Sequence, residues 1–306
     1  FFIALVANCG GLLSPLGDPP LFMLYLRGAS FTWFINMLPE WLFTGGLLLL
    51  IYYLCDKFYF SKKEDPSAFE MPEQRQPVRF RGRKNFMYLM GVILAVAFIN
   101  PTFIPQMDAP DAKFWVKFLR EFVLLALMGI SLYTTANHVR YGMNKFSWNP
   151  ILEVAALFLG IFVTMTPAPL YMEENAARLG FDEVWEFYFS TGALSSFLDN
   201  TPTAVAFHSL ASGLPESVAA AGAGIVNGVF EGVPFVAGIP EILLKAISIG
   251  AVFFGSLTYI GNGPNFMVKS IAESQGIKMP SFFGYMAKFS LVILLPVYVL
   301  LYFIFL

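Results

Sequence analysis

The chain has 306 residues, of which 57% are hydrophobic, 17% aromatic and only 13% charged, with a net charge of −2. A soluble domain carries about twice that share of charged residues, so this chain has too few polar side chains to cover a water-facing surface. The near-neutral charge gives no reason to expect a nucleic acid partner. Its two cysteines, Cys9 and Cys55, lie in apolar runs and provide neither a disulfide framework nor a zinc cluster. The composition predicts a protein embedded in a lipid bilayer.

Apolar segments long enough to cross a bilayer recur along the chain. A spanning helix needs about 20 apolar residues. Five segments meet this length: Trp33–Leu54, Phe86–Ile104, Phe114–Thr134, Ile151–Tyr171 and Phe282–Leu306. Three further segments are interrupted near mid-membrane depth by Pro, Gly and polar residues: Phe1–Leu26, Trp185–Ala211 and Ile239–Ala272. The mixture predicts an all-α polytopic membrane protein with broken transmembrane helices.

The charges of the loops predict how the chain is oriented. Residues 56–85 carry eight Lys or Arg, which places this polar linker on the cytoplasmic side. The loops at 106–112 and 173–183 are acidic and are expected outside. The predicted sides alternate consistently along the chain.

A short internal repeat relates the first and third interrupted segments. Leu16–Met23 aligns with Ile260–Met267, and in the same register Gly11 meets Gly255. Each copy is followed by a full span, and the two spans are predicted to run in opposite directions. Inverted repeats of this kind are typical of secondary transporters. We therefore expect residues 1–55 to end a first repeat, 56–85 to be a linker, and 86–306 to form the second repeat, with a hairpin at 185–211, a broken helix at 239–273 and a final span at 282–306.

The polar residues at the interruptions point to ion binding. Ser195–Thr203 separates two apolar arms that are each too short to cross a membrane, so we predict a re-entrant hairpin. Two carboxylates, Asp18 and Asp199, lie at the predicted breaks, and an unpaired carboxylate at the bilayer centre costs about 2.5–3.5 kcal/mol. Binding of a cation or proton would offset this cost. The alternative is that both residues cap the half-helices that follow them.

Several of these segments resemble motifs of one known family. Asn8–Pro20 reads NCGGLLSPLGDPP and resembles the broken-helix motif of the ion transporter superfamily. Ser195–Thr203 is similar to the hairpin motif of that family, and Thr258–Asn265 to its second broken helix. Phe146–Ile151, which precedes a span, is similar to the branch of sodium:proton antiporters and citrate transporters. The resemblance covers essentially the whole chain.

The resemblance implies an inverted-repeat secondary transporter, usually a homodimer, with two re-entrant hairpins. The first hairpin is expected upstream of Phe1. Carried over by position, the ion- and substrate-binding residues would be Asn8, Ser14, Asp18, Ser196, Asp199, Asn200, Thr201, Thr258 and Asn262. Sodium is expected at Asp18, Asp199, Asn200 and Thr258.

The favoured interpretation is a non-enzymatic, multi-pass antiporter of a bacterial inner membrane that exchanges sodium for protons and needs no cofactor. The alternative is sodium-coupled transport of citrate or a dicarboxylate. An acidic Asp199 at the hairpin tip would repel such an anion, and no cationic clamp is evident at the breaks. An intramembrane aspartyl protease is disfavoured because Pro15 stands where its Gly-x-Gly-Asp signature needs glycine. A purely structural membrane subunit stays open.

Overall fold

The computed structural model is predominantly helical and describes residues 1–60, 82–143, 146–214, 234–274 and 276–306. Its α-helices are α1 Pro19–Leu26, α2 Leu38–Cys55, α3 Lys84–Phe98, α4 Phe114–Lys117, α5 Leu119–Thr134, α6 Asn149–Met165, α7 Pro167–Glu174, α8 Ala176–Leu179, α9 Val184–Phe197, α10 Asn200–Ser212, α11 Glu241–Phe254, α12 Gly263–Ser274, α13 Phe282–Tyr285 and α14 Leu295–Phe305. Wider π-helical turns cover Ile3–Asn8, Asp56–Phe60, His138–Met143 and Met286–Leu294. Tighter 3₁₀ turns cover Cys9–Gly11, Trp33–Met37, Pro105–Met107 and Gly255–Leu257. Two short antiparallel strands, β1 Phe235–Val236 and β2 Ile239–Pro240, precede α11.

The chain divides into two compact units, one formed by residues 1–64 and 161–306 and the other by residues 65–160. These units are defined by contacts in space, and they do not coincide with the predicted repeats, because the first unit contains residues of both. The predicted linker at 56–85 lies mostly outside the described residues. Its first residues, Asp56–Phe60, continue the helix of α2.

The core of the first unit lies around α11, which is buried along nearly its whole length. Small residues allow its backbone to approach that of α9. A methyl group on Gly250 would lie 2.7 Å from the Tyr188 carbonyl oxygen, and one on Gly192 would lie 2.5 Å from the Phe254 ring. Close approach at small residues is the usual way in which helices pack in membrane proteins.

The interrupted segments are broken where the sequence predicts. A helical turn ends at Gly11 and α1 begins at Pro19. A second break separates Leu257 from α12, which begins at Gly263. α9 and α10 form a helical hairpin whose turn is Leu198–Asp199.

The full spans that come after the two breaks, α2 and the last helix, run in opposite directions. Phe43, near the start of α2, has its ring 5.5 Å from that of Phe305 at the end of the last helix. At the opposite ends, the Phe1 ring contacts both Tyr52 and Phe289. The two helices are therefore antiparallel, as an inverted repeat requires, while the inverted repeat and the re-entrant path of the hairpin stay predictions.

The predicted continuous spans are interrupted more often than expected. Among the described residues, two helices are long and apolar enough to cross a bilayer, Trp33–Phe58 and Phe282–Phe305. The segment expected at Phe86–Ile104 ends as a helix at Phe98, because Pro101 disfavours helical geometry in the preceding residue and Asn100 folds back to the Ala97 carbonyl.

Two other expected spans are each built from two helices. The span at Phe114–Thr134 is divided at Phe118, whose backbone (φ −105°, ψ 23°) is not helical, between α4 and α5. The span at Ile151–Tyr171 is divided at Thr166, because Pro167 lacks the amide hydrogen that would continue the helix. In the second unit α3 packs on α5, where the Tyr88 hydroxyl lies 2.9 Å from that of Thr134.

Candidate functional site

Two glycines bring the ends of the first break together. The backbone turns sharply between Gly11 and Gly17, so that a methyl group on Gly17 would lie 2.3 Å from the Gly11 carbonyl oxygen. Only residues without a side chain fit at such a contact. The turn delivers Asp18 to the start of α1, inside the protein.

The second break contains the same contact at the aligned positions. A methyl group on Gly261 would lie 2.6 Å from the carbonyl oxygen of Gly255 and 2.6 Å from that of Ser195 at the hairpin. Gly255 and Gly261 align with Gly11 and Gly17. The two breaks therefore share a close contact between two glycines as well as a sequence pattern.

Asp18 is a buried carboxylate that does not cap the helix it precedes. It stands at the N-cap position of α1, but its side chain makes no capping hydrogen bond. The first two helical residues, Pro19 and Pro20, have no amide hydrogen, and the amide of the third, Leu21, donates to the Asp18 backbone carbonyl at 3.1 Å. The side chain is 4% exposed and accepts a hydrogen bond of 3.0 Å from Asn200 Nδ2 at the hairpin tip. No Lys or Arg of the described residues forms an ion pair with it.

Asp199 plays the capping role that the alternative interpretation assigned to both carboxylates. It is the N-cap of α10 and accepts a hydrogen bond of 2.9 Å from the Thr201 amide. Its own carbonyl accepts a bond of 3.0 Å from the Thr203 hydroxyl. Asp199 is half-buried and interacts electrostatically with Asp18, so two carboxylates lie near one another at this tip.

Three asparagines join the two breaks. Asn8 Nδ2 donates to Asn265 Oδ1 at 2.7 Å and to the Ile3 carbonyl at 2.8 Å, while Asn8 Oδ1 accepts from Asn262 Nδ2 at 3.1 Å. Asn265 in turn donates to the carbonyls of Gly255 and Thr258. All three side chains are buried. The side chains of Asn8, from the first break, and Asn262, from the second, are therefore in contact inside the protein.

Thr258 joins the second break to the hairpin. Its hydroxyl donates to the Ser196 carbonyl and accepts from the amides of Ile260 and Gly261, both at 3.1 Å. A threonine hydroxyl has one donor and two acceptor positions, and all three are used in this arrangement. Its role as a sodium ligand stays a prediction and would require one of these contacts to be exchanged for the ion.

The other expected residues fall into two groups. The Ser196 hydroxyl is turned to the carbonyls of Gly192 and Phe254, 2.9 and 3.1 Å away, and helps to pack the hairpin. Ser14 is half-buried within the first break. Thr201 is buried, lies 3.5 Å from Asn200 Oδ1 and lines a cavity. Among the expected residues the structure brings Asn200 and Asn262 to Asp18, and their roles as ion ligands stay predictions.

The cavity contains a functional candidate that sequence reasoning missed. It has a volume of about 250 Å³ and lies between α1, α10 and residues 165–170. Arg27, the residue after α1, reaches into it. The sequence offered a signal, because an arginine follows the broken helix closely, but only the packing of α1 on α10 shows that it shares a cavity with the hairpin. The expectation of no cationic clamp concerned only the breaks and did not extend to this cavity.

Within the described part of the chain, no group of three or more His, Cys, Asp or Glu side chains is placed to hold a metal ion. Among the same residues, the side chains that contact Asp18 are the amides of Asn200 and Asn262.

Comparison with known proteins gives a match over the whole chain. A family profile described as "Putative citrate transport" matches residues 1–306. No curated protein and no solved structure matches. The match confirms the resemblance to the ion transporter superfamily that the motifs indicate.

Proposed function

Because the chain belongs to the family described as "Putative citrate transport", we propose that it is a secondary membrane transporter that couples the movement of a carboxylate anion to that of a cation. The family supports a transporter and a membrane location. The citrate-type substrate and the coupling ion are our proposal.

The observation that carries the proposal is the contact between Asp18 and Asn200. It joins a broken helix to a hairpin tip, and at its centre is a carboxylate that no described cation neutralises. A sodium ion or a proton on Asp18 would remove the cost of keeping that charge buried. Because Asp18 and Asn200 belong to different elements, binding at this point would hold the two elements together. Release of the ion would allow them to separate, which is a basis for alternating access.

Sodium/proton exchange is the second candidate, and Asp199 favours it. Asp199 adds a second carboxylate beside Asp18. Sodium and protons would compete for the pair, so one ion would leave as the other binds. In this case no organic anion would cross the membrane.

The test is transport by the purified protein in proteoliposomes. We expect uptake of labelled citrate to depend on an inward gradient of sodium or protons, and to fall at least tenfold in Asp18→Asn. The substitution should preserve the fold, because Asn262 stands at the position of the second break that aligns with Asp18. Asp182→Asn, which changes an exposed carboxylate before α9, is the matched control.

Asp199→Asn separates the two candidates. Asparagine caps a helix about as well as aspartate, so this variant removes only the charge. Sodium-dependent proton movement without citrate uptake, lost in Asp199→Asn, would establish the exchanger. Full citrate uptake by Asp18→Asn would overturn the role given to Asp18.

A further inference from the structure

The cavity beside the hairpin tip has one charged residue in its lining, Arg27, on otherwise mainly apolar walls. A guanidinium in apolar surroundings is costly unless it is paired. No carboxylate of the described residues lies within ion-pair distance of it. Glu173 interacts with it only at longer range. Within the part of the chain that the structure describes, the positive charge in the cavity is thus without a close counter-ion.

Two neutral side chains of α10 hold Arg27 in place. Its Nη1 donates to Ser209 Oγ at 2.7 Å and lies 3.0 Å from His208 Nδ1. His208 Nε2 lies 3.0 Å from the Ala237 carbonyl oxygen, which can only accept, so Nε2 carries the proton and Nδ1 accepts from Arg27. His208 in this tautomer is uncharged. Arg27 is therefore oriented but not neutralised.

The other N–H donors of the Arg27 guanidinium have no hydrogen-bond partner among the described residues. Arginine has five N–H donors, and the partners found among the described residues use those of Nη1. The planar group binds a carboxylate through two parallel hydrogen bonds, which is its preferred anion geometry. The remaining donors suit one carboxylate group of a small molecule in the cavity.

We propose that Arg27 is the anion-binding residue of the transporter and that it takes a carboxylate group of the substrate in this cavity. The inference rests on the proposed function, since it assigns the substrate's own site. Thr201 lines the same cavity and is next to Asn200, which binds Asp18. The anion and the coupling cation would thus bind on either side of one hairpin tip. Each ligand would stabilise the position of the tip in which the other binds.

The experiment measures binding to the purified protein by isothermal titration with citrate, succinate and inorganic phosphate. Arg27→Gln should weaken binding of the carboxylate that the wild type binds by about tenfold or more, and Arg27→Lys by less, because it keeps the charge but loses the paired geometry. Arg178→Gln, which changes an exposed arginine in α8, is the matched control. Sodium binding measured separately on each variant reports that the hairpin site is intact.

The outcomes distinguish this inference from the function on which it rests. Unchanged carboxylate affinity in Arg27→Gln, with wild-type binding present, would overturn the role of Arg27 and leave the proposed function standing. Absence of carboxylate binding by the wild-type protein would overturn both. Binding of phosphate but of neither carboxylate would overturn the substrate class given to the cavity.

Discussion

Glycines fix the geometry of the two breaks at the scale of single residues. At Gly17 and Gly261 the space for a side chain is already occupied by backbone oxygen atoms. Backbone atoms at a turn cannot move aside as the end of a flexible side chain can. The position of Asp18 therefore depends on a neighbour with no functional group of its own.

We predict that Gly17→Ala destabilises the protein by about 1–3 kcal/mol, because the added methyl group overpacks the turn. Transport should fall with it, since Asp18 would be displaced. Gly45→Ala is the control: Gly45 lies inside α2 with open space around it, so alanine should be neutral or stabilise by about 0.5–1 kcal/mol. Thermal unfolding in detergent measures both changes. Equal unfolding midpoints for the two variants would contradict the crowded turn.

The two carboxylates show how far the sequence can predict the site. Asp18 and Asp199 both precede a half-helix, and from the sequence each could either bind an ion or proton or cap the helix. The structure separates them, and the reason is local: two prolines follow Asp18 and have no amide hydrogen, and the next amide, that of Leu21, donates to the Asp18 backbone carbonyl. The signal of the two prolines was present in the sequence. The role of Arg27 was not, because it depends on the packing of α1 against α10.

At the scale of elements, an ion pair joins α2 to α11. Lys245 Nζ lies 2.8 Å from Glu40 Oε1, and Glu40 is 2% exposed. The Trp33 indole donates to Glu241 one turn earlier on α11. Glu40 Oε2 has no hydrogen-bond partner among the described residues. The pair is therefore buried on one side and incompletely satisfied.

We expect Glu40→Gln to lower stability by about 3–5 kcal/mol, because it leaves Lys245 without its counter-charge inside the protein. The double variant Glu40→Leu/Lys245→Met should cost less than the single one, because it removes both charges together. Unfolding in detergent of the two single and the double variants gives the coupling between the positions. Additive losses would show that the pair does not stabilise the contact.

The interruptions of helices were predicted better than their lengths. Both breaks and the hairpin turn occur at the expected Pro, Gly and Asp residues, since these act on the backbone locally. The continuous spans were predicted too long at α3 and too regular at α6, where Pro101 and Pro167 end helical segments. An apolar run gives the length that can be buried, whereas a single proline decides where the helix stops.

At the scale of the first unit, the ends of three helices meet in the structure. Arg27 after α1 contacts Ser209 near the end of α10, and Gly213 lies against the Glu173 carbonyl at the end of α7. At the opposite ends of α2 and the last helix, the Phe1 ring contacts those of Tyr52 and Phe289. The side of the membrane that each group of helix ends faces stays a prediction from the loop charges.

Cysteine labelling tests this orientation in a variant whose own cysteines are replaced, Cys9→Ala and Cys55→Ser. Glu174 and Lys278 are both exposed. Glu174 lies in the acidic loop predicted outside, whereas Lys278 lies in the turn before the last span, which is predicted to run outward and therefore to start on the cytoplasmic side. We expect Glu174→Cys to react with a membrane-impermeant maleimide in intact cells, and Lys278→Cys to react only in inverted vesicles. Reaction of both from the same side would contradict the alternation of sides that the loop charges predict. The variant without cysteines, treated in parallel, measures background labelling.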